Sequence, residues 1–75
     1  MTREEIRSAD EKTLQARWIE LINDVRTYAP GKSEQNVEYL MIGLRLALIR
    51  DQKFDAIGYA EELGFRYGIS ICEVE

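Results

Sequence analysis

The chain has no histidine and a single cysteine, Cys72. Zinc sites and intramolecular disulfides, the two usual covalent or metallic staples of a small fold, therefore lack their ligands. Histidine is also the commonest acid–base catalyst at neutral pH, so its absence counts against general acid–base chemistry. Cys72 stands beside Glu73, whose charge raises a thiol pKa, and no basic cluster lies near it in sequence to lower it. One unpaired thiol and no signal peptide fit a reducing compartment, and we expect a cytoplasmic protein.

Long apolar runs are missing too. The longest, Tyr39 to Ile49, is interrupted by Gly43 and Arg45 and falls well short of the ~20 residues that cross a bilayer. Proline occurs once, at Pro30, and the glycines Gly43, Gly58, Gly64 and Gly68 are scattered without a preceding strand, so no phosphate-cradling loop is present. No repeat or low-complexity linker divides the chain, which reads as one helical domain over residues 1–75.

The net charge of −4 is concentrated at one end. Asp55, Glu61, Glu62, Glu73 and Glu75 face Arg66 alone in residues 54–75, whereas residues 1–53 balance. Nonspecific attraction to phosphate backbones is therefore disfavoured. At 75 residues a chain buries only roughly 60% of its unfolded surface, and association is a common remedy for the thin stability margin.

Helical periodicity accounts for most of the sequence. Thr2 with Glu5 and Ser8 with Glu11 both have capping-box spacing, and either is able to start the first helix. Leu14, Trp18, Leu21, Val25 and Tyr28 recur at steps of four and three, widened by Ile22 and Ala29, opposite a polar face. That helix should span residues 12–29 and break at Pro30-Gly31. Ser33 is a natural N-cap for a second helix over residues 34–52, with Glu34 and Glu38 favourably placed toward its positive end.

This second helix carries two apolar stripes. Val37, Leu40, Met41, Leu44 and Leu48 form one; Tyr39, Ile42, Leu46 and Ile49 form the other. The first helix can cover only one of them. The spacing thus predicts an all-α helical hairpin whose second stripe is covered by a short third helix or by a second chain. A homodimer interface through Tyr39, Ile42, Gly43, Leu46 and Ile49 follows from the latter, with Gly43 either permitting close approach of a helix backbone or merely tolerated.

Asp55 is placed to cap the short third helix, which would run through Ala56, Ile57, Tyr59, Ala60 and Leu63 and stop at Gly64. Beyond it, Ile69 and Ile71 alternate with Ser70 and Cys72, a pattern for a short strand or an irregular tail.

The carboxylate pairs Glu4-Glu5 and Glu61-Glu62 do not converge, because adjacent helical residues point about 100° apart. Lys32, Arg45, Arg50 and Lys53 are diluted by Glu38 and Asp51, and a salt-bridging role suits them. No cofactor site is expected. The segment Tyr59, Glu61, Glu62, Phe65, Arg66 and Tyr67 mixes the aromatic, arginine and carboxylate groups of protein interfaces, although Tyr59 and Phe65 also suit a core. The expectation is a small non-enzymatic adaptor, inhibitor or regulator that binds another protein, as a homodimer. The alternative is a helix-turn-helix DNA-binding regulator over residues 56–74, with Ala60 spaced for the inter-helix contact and Gly64 for the turn. Its second helix would present Arg66 followed by Ser70, Glu73 and Glu75, a poor set for bases and phosphates.

Overall fold

A computed structural model describes residues 1–26 and 33–70. Four helices, α1 (Arg3–Ser8), α2 (Glu11–Arg26), α3 (Ser33–Ile49) and α4 (Lys53–Tyr67), form an all-α bundle with no strand among the described residues. None is long and apolar enough to cross a membrane.

Of the two N-terminal capping-box signals only the first is used, although two helices form. Thr2 Oγ1 accepts from the Glu5 amide at 3.2 Å and Glu5 Oε1 accepts from the Thr2 amide at 3.1 Å, closing the capping box that starts α1. Ser8 does not cap α2; it ends α1, its hydroxyl donating to the Glu4 carbonyl. Asp10 starts α2 instead, accepting from the Thr13 amide at 2.8 Å.

α3 is the hub, packed by α1, α2 and α4. Ile6 of α1, Leu14 and Leu21 of α2 and Leu63 of α4 are fully buried around Ile42 and Leu44 of α3. Each such side chain contributes roughly 1.5–3 kcal/mol relative to exposure. This three-sided burial is the physical reason for two apolar stripes on one helix.

The second stripe is therefore covered within the chain. Ile42 and Leu46 are 0% and 4% exposed, Gly43 is buried, and Tyr39 is half-buried. Trp18 of α2 stacks on Tyr39 with ring centroids 5.2 Å apart, and Tyr59 of α4 meets the Tyr39 ring edge-on at 6.5 Å. The dimer interface expected at Tyr39, Ile42, Gly43 and Leu46 is corrected accordingly, since these residues face the chain's own helices. Ile49 alone in that set is open, at 42% exposure.

The third principal helix is also longer than the spacing predicts. Asp55 is not its cap but lies in its first turn, with Gln52 at the N-cap position. α3 ends in a Schellman turn: Asp51 has a left-handed φ of 55°, its amide donates to the Leu48 carbonyl, and the Gln52 amide donates to the Ala47 carbonyl at 2.8 Å. Gly64 does not stop α4. Gly68 does, at φ 65°, its amide donating to the Gly64 carbonyl while the Ile69 amide donates to that of Leu63. Ile69 folds back onto the core at 9% exposure. The remainder of the expected strand, Ile71 onward, lies outside the described residues, as do Tyr28, Ala29 and the Pro30 break.

Candidate protein-binding face

α4 has two unlike sides. Its inner side buries Ala56 and Leu63, with Tyr59, Ala60 and Tyr67 packed beside them. The Tyr59 ring seats on the bare backbone of Gly43, and burial, with smaller contributions from Tyr39 and Asp55, pushes its phenol above the ordinary tyrosine range. The Tyr67 hydroxyl accepts from Asn36 Nδ2 on α3.

The outer side carries Phe54 at 92% exposure, Ile57 at 55% and Phe65 at 87%. At 100° per residue, Phe54, Gly58, Glu61 and Phe65 share an arc of about 60° opposite Leu63, with Ile57 and Glu62 at its margins. The rise places Phe54 and Phe65 about 16 Å apart along the axis. Gly58 and Gly64 face open space, with nothing within 4 Å of a Cβ built on either. Glu61 and Glu62 are exposed, and neither is ion-paired among the described residues.

Of the six residues expected at a partner surface, Glu61, Glu62, Phe65 and Arg66 are exposed on α4, while Tyr59 and Tyr67 turn toward α3. Phe54 and Ile57 were missed as surface groups. Starting the helix at Asp55 left Phe54 outside it and hid the repeat at steps of three, four and four from Phe54 through Ile57 and Glu61 to Phe65.

Several other charged groups are engaged within the fold, whereas Lys53 is exposed at the start of α4. Arg50 donates to Glu11 and Gln15, both at 2.8 Å, and Arg45 reaches the Arg7 carbonyl at 3.4 Å. Lys32 lies outside the described residues. Glu38 accepts from Arg17 at 2.7 and 3.1 Å and from the Met1 ammonium at 2.6 Å. The Arg17 hydrogen bonds chiefly, and then the ammonium, hold its carboxyl below the usual range against the opposing effect of burial. A shallow groove of about 480 Å³ beside this network is lined by Met1, Val37, Met41, Tyr67 and Ile69. Glu38, one of the two glutamates on its wall, is thus already neutralised. Among the described residues no three His, Cys, Asp or Glu side chains are grouped to hold a metal ion.

The proposed helix-turn-helix also loses its turn, since Ala60 and Gly64 lie inside the continuous α4. No protein-family model, curated protein or solved structure matches the chain.

Proposed function

We propose that this chain is a non-enzymatic binding module, an adaptor, inhibitor or regulator acting in the cytoplasm, that engages another protein through the outer face of α4. One observation carries the proposal: two phenylalanines, 92% and 87% exposed, stand on the side of a well-packed helix that faces away from its own core. Scattered exposed apolar residues are ordinary, but aromatic groups aligned along one helix face match the helix-in-groove mode of recognition. Each phenylalanine can remove roughly 150–250 Å² from water. The polar groups of the face are the carboxylates Glu61, within the stripe, and Glu62, at its margin, and they serve recognition in this reading.

Nucleic acid is a poor fit, because Glu61 and Glu62 occupy the same face and repel phosphates. Homodimerisation, if it occurs, must use a surface other than the buried stripe of α3.

Photo-crosslinking tests the proposal. A benzophenone side chain at Phe65, in the chain expressed in its native cells, should trap one defined protein. The same group at Lys12, exposed on α2, should not. Equal, diffuse crosslinking from both positions would sink the proposal, and a band at twice the chain mass from Phe65 alone would identify a second copy as the occupant.

A further inference from the structure

The chemistry of the outer face restricts what can lie along it. We infer that the occupant is a basic amphipathic helix of another protein, with apolar side chains against Phe54 and Phe65 and a lysine or arginine over Glu61. This inference rests on the reading of α4 as the binding face.

The spacing argues for a helix. Two aromatic groups about 16 Å apart on one straight face match apolar positions i, i+4, i+7 and i+11 of a facing helix. Between them Gly58 has no side chain and faces open space, so a partner backbone can approach closely at the middle of the stripe.

Charge then selects among occupants. Glu61 lies in the arc between the two phenylalanines, so covering them also takes its carboxylate out of water. That step is costly unless the partner supplies a cation. A second copy does the opposite. Setting Phe54 over Phe65 of an antiparallel copy brings the two Glu61 residues within about 4.5 Å along the axis, with both Glu62 residues in the same band. A parallel two-fold pairing places each acid opposite itself. Like charges so juxtaposed disfavour association. An anionic lipid surface meets the same repulsion, and a helix lying on it would submerge Glu61 with the phenylalanines.

Calorimetric titration of the full chain with three synthetic amphipathic helices tests this. The peptides share leucines at positions 3, 7, 10 and 14 and differ only in the residues flanking the central leucines, which are lysine, glutamine or glutamate. The lysine peptide should bind at least about tenfold more tightly than the glutamine peptide, and the glutamate peptide more weakly still. Glu61→Lys should reverse that order. Phe54→Ala and Phe65→Ala should each weaken the lysine peptide about 30-fold.

Equal affinities for the three peptides, unmoved by Glu61→Lys, would overturn the charge selection while leaving the α4 face in place. Binding that survives the double phenylalanine variant would remove the face itself. Failure of all three peptides to bind overturns the inference. So does flotation with phosphatidylglycerol vesicles, or sedimentation at twice the chain mass, if either is lost in Phe65→Ala.

Discussion

The Tyr59 ring rests where a side chain at position 43 would have to be: a Cβ on Gly43 would lie 2.8 Å from Tyr59 Cζ and 3.0 and 3.1 Å from the two Cε atoms. The glycine in the middle of α3 is thus the seat that lets α4 close over the second stripe. Close approach of a helix does explain this residue, but the approaching helix belongs to the same chain.

Gly43→Ala should therefore destabilise the fold. Alanine gains about 1 kcal/mol in helix propensity, whereas lifting a packed aromatic ring costs about 1–3 kcal/mol, and we expect a net loss of about 1 kcal/mol. In a Tyr59→Ala background the ring is gone, so the same substitution should stabilise by about 1 kcal/mol. Urea denaturation of the four chains in this cycle measures both values. The same sign in both backgrounds would contradict the seating.

Leu46 and Ile49 belong to one sequence stripe but should respond oppositely to charge. Leu46 is 4% exposed and Ile49 42%. Leu46→Glu buries an unpaired carboxylate and should abolish the cooperative transition. Ile49→Glu should stay within about 1 kcal/mol of the parent, as surface changes do. Circular dichroism during thermal melting separates them, and comparable loss in both would place Ile49 in an interface.

The α2–α3 hairpin was legible because its signals are periodic: Leu14 and Leu21 recur on one face, and α3 is apolar on more faces than one partner can cover. α4 was harder to read. Glycine in a helix interior costs about 1 kcal/mol, so Gly64 resembles a stop. Burial of Leu63 before it and packing of Tyr67 after it outweigh that penalty, and the helix runs to Gly68. Its start carries no side-chain cap at Gln52, and α3 ends at an aspartate in the left-handed region instead of a glycine. With both boundaries displaced, the spacing alone leaves open whether this helix or a second chain covers Tyr39. The outer face was partly visible in Phe65, Glu61 and Glu62, but which aromatics point outward depends on which side packs, and only the three-dimensional arrangement fixes that.

Gly58→Ala and Gly64→Ala provide a test of α4's continuity. Both positions are helical, and an added Cβ meets nothing within 4 Å. Each substitution should stabilise the isolated chain by about 0.5–1 kcal/mol. Gly68→Ala should instead destabilise it by about 1 kcal/mol, because its φ of 65° suits glycine. If Gly64→Ala destabilises, Gly64 ends the helix after all.

Glu38 should govern much of the response to acid. Its side chain is 14% exposed, and its two bonds from Arg17, aided by the Met1 ammonium, depress its folded pKa. The unfolded chain, with a glutamate pKa of about 4.3, therefore takes up the proton first as pH falls. The contribution is fully present above about pH 5 and is lost as pH drops through the lower folded value. Glu38→Gln should cost about 1–2 kcal/mol at pH 7, and its urea midpoint should draw toward that of the parent as pH falls below about 5 and meet it only below the depressed folded value. Glu5 and Asp10 are also depressed, by their bonds with Thr2 and Thr13; Asp10 cancels from the difference, and for Glu5 the variant removes only the small upward effect of Glu38. Midpoints measured at pH 7, 5, 4 and 3 give that difference directly; a gap that stays constant across the series would show that the Arg17–Glu38 pair contributes nothing through its charge.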